Sequence, residues 1–219
     1  MAQEASSLTE KNTSYQTTNS YATLNTLTPK TENIWVVFHG MGYLSRYFLK
    51  PFTKLDAATN YIVAPQAPSK YYLNDEYKYV GASWLTKENT RQEIQNIFSY
   101  IDSVMEAEKL LTPTNLILFG FSQGVSIVTR WMASRKVQCK KLVMYAGSIP
   151  NELSKEDFDH LDLNQTEVRI IYGDTDKFLT PERLQLENEK TIKLFGKHAN
   201  VRKFEGGHEI KIDLLKELV

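Results

Sequence analysis

The chain has 219 residues, enough for one domain with a sizeable core, and its 42% hydrophobic and 24% charged residues are ordinary for a globular protein. Lys plus Arg and Asp plus Glu each number 26, so the formal net charge is zero. That balance argues against nucleic acid as the main partner and against a polybasic membrane anchor. The single cysteine, Cys139, excludes an internal disulfide and a cysteine-based zinc site, and it fits a reducing, cytoplasmic location.

In chain order, residues 1–12 are polar and expected to be frayed, and 13–219 to form one domain. The opening MAQEASSLTEKNTSY lacks the basic and apolar regions of a signal peptide. No apolar run approaches the roughly 18 residues of a membrane span. Ser14 to Leu27 is rich in Thr and Tyr with loose alternation, and Asn19-Ser20 suits a turn, which predicts an antiparallel hairpin. Asn33 to Phe38 (NIWVVF) reads as a strand buried on both faces. Ser45 to Ala58 has helical spacing, with Ser45 as N-cap and Pro51 expected either to kink or to divide it. A short strand follows at 60–64, then a Pro- and Tyr-rich stretch at 65–88 without periodicity, read as a loop. In Glu88 to Leu110 apolar residues recur at three- and four-residue steps from Ile94 to Met105, as in an amphipathic helix. Strands are expected at 115–119, 141–145, 168–172 and 201–204. Helices are expected at 125–132, at 181–195 behind a Thr180 cap and Pro181, and at 210–218. This alternation predicts an α/β fold: a mostly parallel twisted sheet with helices on both faces.

Such sheets place their sites at the C-terminal ends of the strands. The strand NLILF runs into Gly120-Phe121-Ser122-Gln123-Gly124 and a helix, which is G-x-S-x-G in strand–turn–helix context. A sharp turn there lifts the Ser122 hydroxyl above the sheet, and glycines on either side remove Cβ clashes. A serine is a weak nucleophile and needs a base, which in turn needs an orienting acid; on such an elbow the chain order is serine, acid, histidine. Gly173-Asp174-Thr175-Asp176 ends one later strand and Glu205-Gly206-Gly207-His208 ends the next. His208 is the expected base. His39 precedes the serine and is read as holding its loop, while His160 and His198 are read as surface residues. Spacing alone leaves Asp174 and Asp176 both open as the acid. The backbone amides of Gln123, after the nucleophile, and of Met41, in His39-Gly40-Met41-Gly42, are the expected donors to an oxyanion. Trp84, after Gly81-Ala82-Ser83, is placed among the substrate-facing residues.

With these residues in hand, the sequence resembles the phospholipase/carboxylesterase family of α/β-hydrolases, which includes bacterial carboxylesterases and acyl-protein thioesterases. The anchors are VVFHGMG (36–42), APQAP (64–68), GFSQG (120–124), GDTDKFLTP (173–181) and GGHE (206–209). The resemblance implies Asp176 as the acid, Met41 and Gln123 as oxyanion donors, and Phe178 and Leu179 as walls of an acyl pocket. The chain departs from the common pattern at Tyr43, Val125 and Lys177, of which Tyr43 and Lys177 are expected at the mouth of the site. Caps in this fold usually insert before the acid-bearing strand, where only residues 147–167 are available, so no cap domain is expected. The implied activity is hydrolysis of small-molecule carboxylic esters with small to medium acyl groups, without cofactor or metal. The alternatives are a thioesterase or lysophospholipase for longer chains and a non-catalytic ligand-binding protein.

Overall fold

The computed structural model describes residues 8–110 and 115–219. Seven strands form one sheet: β1 (Tyr21–Leu24), β2 (Asn33–Phe38), β3 (Asn60–Pro65), β6 (Leu116–Phe121), β7 (Lys141–Tyr145), β8 (Glu167–Gly173) and β9 (Ala199–Phe204). Their order is β1-β3-β2-β6-β7-β8-β9. All neighbours are parallel except β1, which runs antiparallel to β3 with Tyr21 opposite Pro65 and Leu24 opposite Ile62. Two further strands, β4 (Ser69–Tyr72) and β5 (Val80–Ser83), make a separate antiparallel hairpin.

Strands covered on both faces need unbroken apolar runs, and β2, β3 and β6 are buried at every position. Alternate residues serve opposite cores. Val36, Phe38, Leu118 and Met144 face α2 (Thr90–Ala107), α3 (Gln123–Arg135) and α4 (Pro181–Phe195) through Ile101, Met132 and Phe195. Trp35, Val37, Phe119 and Tyr145 face α1 (Ser45–Phe48), the 3₁₀ turn Pro51–Lys54 and α5 (Ile212–Lys216) through Phe48, Phe52 and Leu215. The chain leaves β2 toward β3 on one side and later returns to β6 on the other. The crevice between the C-terminal ends of β2 and β6 is therefore the topological switch point, where open α/β sheets bind ligands.

Three expectations need correction. The N-terminal antiparallel pair is present, but its partner strand is β3: Leu8 to Ser20 carry no strand, and residues 1–7 of the expected tail lie outside the described residues. The sheet edge offers β1 more than a lone hairpin could. The hydroxyls of Tyr21 and Tyr61 both donate to Glu108, the former at 2.7 Å, and Asn19 Nδ2 donates to the Gln66 carbonyl at 2.7 Å. Ser45 is the first residue of α1 and not its cap; its amide donates to Gln66 Oε1 at 2.9 Å, so a distant side chain caps the helix. Of the two effects open for Pro51, the structure has division, with α1 before it and a 3₁₀ turn beginning at it. The stretch 65–88, read as loop, contains the β4–β5 hairpin, whose exposed first strand leaves no burial pattern to detect. Between β7 and β8 there is a single 3₁₀ turn, Lys155–Phe158, and no inserted cap.

Candidate active site

Ser122 sits between β6 and α3 with φ 53° and ψ −119°, a strained conformation for a residue with a side chain. The local sequence tolerates the turn because the residues two positions either side have no Cβ. A methyl on Gly124 would lie 2.0 Å from the Phe38 carbonyl oxygen, and one on Gly120 would lie 2.7 Å from the Gly124 oxygen. The Ser122 amide donates to the Tyr145 carbonyl at 2.8 Å, so the elbow is fastened to β7. Val125, where a second glycine is common, fits because residue 147 is glycine: a Cβ there would meet a Val125 methyl at 2.5 Å.

The two loops after β8 and β9 meet beside this turn. His208 Nδ1 lies 2.6 Å from Asp176 Oδ2. Asp176 is only 5% exposed, and its other oxygen accepts from the Phe178 amide at 2.9 Å, so both oxygens are held. Asp174 is occupied elsewhere. Its Oδ1 accepts from the Gly206 amide at 3.0 Å, which ties the histidine's loop to the turn after β8. Of the two aspartates that spacing left open, Asp176 is the one whose carboxylate lies on the imidazole. The ring of His208 lies between Phe121, centroid 4.9 Å away, and Phe178, 4.8 Å away and edge-on. Phe121 directly precedes Ser122, which sets the imidazole beside the elbow. The Ser122 hydroxyl itself makes no hydrogen bond to His208; in free enzymes such bonds are often long and tighten when substrate arrives.

Across the switch point, the loop after β2 carries Met41, and Gly42 takes φ +86°. The Gly42 amide donates to Ala82 at 2.9 Å and the Tyr43 amide to Gly40 at 3.3 Å. Among the described residues, neither the Met41 amide nor the Gln123 amide is engaged in a loop or cap hydrogen bond. His39 is fully buried. Its Nδ1 lies 2.7 Å from the Gly40 oxygen and its Nε2 3.1 Å from the Ala67 amide, which assigns the proton to Nδ1. Burial lowers its pKa to about 4, so the ring is neutral and holds this loop to the segment after β3.

The residues expected to face substrate divide into two sets. Tyr43 and Phe178 are exposed beside the site. Tyr43 stands edge-on to Phe121, and Lys177 lies 5.2 Å from the centre of the Phe178 ring. Leu179 is buried, and Trp84 is 1% exposed. Trp84 therefore belongs to the core and not to a substrate wall. Its indole N–H donates to the His39 carbonyl at 2.8 Å and its ring packs on Phe38. Of the tyrosines nearby, Tyr71, Tyr72, Tyr77 and Tyr79 are exposed on or beside the hairpin. Two contributors had no signal in the sequence. Tyr145, the last residue of β7, accepts at its hydroxyl from the Lys211 amide at 3.0 Å and so anchors the chain just beyond His208; burial pushes that phenol up to about 12. The Gln123 side chain binds the backbone at residues 84 and 85.

Two surface grooves, of about 470 and 320 Å³, lie elsewhere: one between α4 and the ends of β8 and β9, the other near Asn25 and Ala58. Neither contains Ser122, Asp176 or His208. Among the described residues no group of three His, Cys, Asp or Glu side chains could hold a metal ion, and no helix is long and apolar enough to cross a membrane.

The sequence pattern of the phospholipase/carboxylesterase family matches residues 20–219. No curated protein matches the chain. Solved structures do. Esterase PE8 is 22% identical with a TM-score of 0.66, over 91% of this chain and 97% of that one. Acyl-protein thioesterase 2 of Zea mays is 13% identical with a TM-score of 0.67, over 91% and 96%. The Bacillus cereus carboxylesterase is 14% identical with a TM-score of 0.62, over 91% of each. At these identities the likeness is one of fold, whereas the family pattern spans all but the start of the chain. The chain belongs to the phospholipase/carboxylesterase family, on an α/β-hydrolase fold.

Proposed function

We propose that the protein is a serine carboxylesterase in which Ser122, His208 and Asp176 form the catalytic triad. The observation that carries this is the 2.6 Å bond between a buried Asp176 and His208, on loops that close beside a strained Ser122 elbow. Ser122 Oγ attacks the ester carbonyl while His208 Nε2 takes the hydroxyl proton. Asp176 fixes the imidazole tautomer and stabilises its cation. The Met41 and Gln123 amides receive the oxyanion. Collapse of the tetrahedral adduct breaks the C–O bond, and His208 returns the proton to the leaving alcohol. Water, deprotonated by the same histidine, then releases the acid and restores the serine.

The absence of an inserted structure between β7 and β8 supports an open site and small to medium acyl groups, with Tyr43 and Phe178 flanking the entrance. A cytoplasmic location fits the single cysteine, which is buried and free. Thioesters are the second reading, favoured by the likeness to the Zea mays acyl-protein thioesterase. Paired ester and thioester substrates of equal chain length separate the two. The test of the mechanism is a fluorophosphonate probe: it labels the wild type and not Ser122→Ala, and turnover of p-nitrophenyl butyrate falls about 10⁶-fold in the variant. An unlabelled wild type, or activity surviving in Ser122→Ala, overturns the proposal.

A further inference from the structure

The two oxyanion donors come from segments far apart in the chain, Met41 after β2 and Gln123 after β6. Their spacing must be held to a fraction of an ångström if they are to receive one oxygen atom. One strip of chain touches both. On the Met41 side, the Ala82 carbonyl accepts from the Gly42 amide at 2.9 Å, and Trp84 Nε1 donates to the His39 carbonyl at 2.8 Å. Met41 is thus bracketed by two bonds to residues 82 and 84. The fit is close, since a methyl on Gly81 would lie 2.5 Å from the Gly42 oxygen.

On the other side, the strip is fastened by the Gln123 side chain. Its Oε1 accepts from the Trp84 amide at 2.8 Å, and its Nε2 donates to the Leu85 carbonyl at 2.8 Å. The Ser83 hydroxyl lies 3.2 Å from the same Nε2 and donates to the Leu85 carbonyl at 3.0 Å. Both faces of the side-chain amide are used, and neither points at the site. An elbow residue needed only for its backbone amide would leave its side chain free.

We infer that the strip Ala82–Leu85 sets the distance between the two oxyanion donors, and that the Gln123 side chain is a positioning residue that locks it to the nucleophile elbow. This rests on the serine-esterase reading. It also explains why Trp84 is buried beside the site without touching substrate: its indole holds the carbonyl at the root of the Met41 loop. The ground-state carbonyl makes little use of the donors and the tetrahedral adduct makes full use of them, so loosening the strip acts on the transition state alone.

Gln123→Met keeps the backbone amide and the side-chain length and removes both polar contacts. With p-nitrophenyl butyrate, kcat falls about 10- to 100-fold while KM stays within about twofold. Inhibition by butylboronic acid, whose tetrahedral adduct bears the oxyanion, weakens in the same proportion. Gln123→Glu keeps the acceptor for the Trp84 amide but sets a carboxylate oxygen against the Leu85 carbonyl in place of a donor, so it loses at least as much as Gln123→Met. Trp84→Phe is the second variant, keeping an aromatic side chain of smaller size and losing the bond to His39, and it gives the same signature if Gln123→Met does not fold. Wild-type kcat in these variants, a rise in KM alone, or boronate affinity unchanged while kcat drops overturns the inference. A wild type that fluorophosphonate labels, beside an unaltered Gln123→Met, sinks this inference and leaves the esterase reading standing. An unlabelled wild type sinks both.

Discussion

Gly173 closes β8 against the loop that presents His208, and a methyl group there should uncouple the triad from a distance. An added Cβ would lie 2.1 Å from the Gly206 carbonyl oxygen and 2.3 Å from that of Gly207, where ordinary contact begins at 3.4 Å. The obstacles are backbone atoms and cannot rotate away. The loop is also tied to the same turn, through Thr175 N to Gly206 O at 3.0 Å and Gly206 N to Asp174 Oδ1 at 3.0 Å. Relief therefore requires the loop to move by on the order of 1 Å, carrying His208 with it, and a displacement of that size costs about 10² in turnover. The strain and overpacking cost about 1–3 kcal/mol of stability. Gly207→Ala is the matched control: a Cβ there meets nothing within 4 Å, though the residue is next to His208. Steady-state kinetics with p-nitrophenyl butyrate and urea unfolding of both variants test the argument. Gly173→Ala with kcat within threefold of wild type (a bound well below the expected loss of about 10²), or Gly207→Ala equally impaired, refutes it.

Two further outcomes follow from the same geometry. Asp176→Asn should lower kcat by about 10⁴, because the amide cannot hold the imidazole tautomer, whereas Asp174→Asn keeps an oxygen for the Gly206 amide and should stay near wild type. Comparable losses in the two variants would reverse the assignment of the acid. His39, with its pKa lowered to about 4 by burial, binds its proton less readily folded than unfolded. Its contribution to stability is thus complete above about pH 6.5, shrinks by about 1.4 kcal/mol per unit as pH falls, and levels off near pH 4. Urea midpoints between pH 4.5 and 7.5 should show that extra slope in the wild type and not in His39→Asn; parallel slopes would mean the ring does not stay neutral.

What could be read before the structure, and what could not, divides by the range of the interaction. Strands β2, β3 and β6 are covered on both faces, a condition that leaves an unbroken apolar run, and the glycines at 120 and 124 are required by contacts within a few residues or with the neighbouring strand. Such features are written locally. The β4–β5 hairpin is not, because β4 is exposed along its whole length and burial imposes no alternation on it. The N-terminal segment shows the same limit. Its Thr and Tyr content marks a strand, yet its partner is β3, and the two strands share a distant acceptor, Glu108 just beyond α2, through Tyr21 and Tyr61.

Trp84 is the most instructive case. An aromatic after Gly-Ala-Ser beside the elbow suits a substrate wall and a core position equally well, and no local pattern separates them. The deciding contacts are the carbonyl of His39, forty-five positions earlier, and the side chain of Gln123, thirty-nine later. Glycine stands at 81 because the strip passes close to the loop after β2, where a Cβ would lie 2.5 Å from the Gly42 oxygen, and not because a ligand needs room. Small residues beside a site thus mark a close approach of backbone, and whether ligand or protein fills the space depends on where the next large side chain finds its hydrogen bond. Here the indole finds it inward, on the carbonyl two residues before Met41, so the ring is buried in the core while the rings of Tyr43 and Phe178 stay exposed.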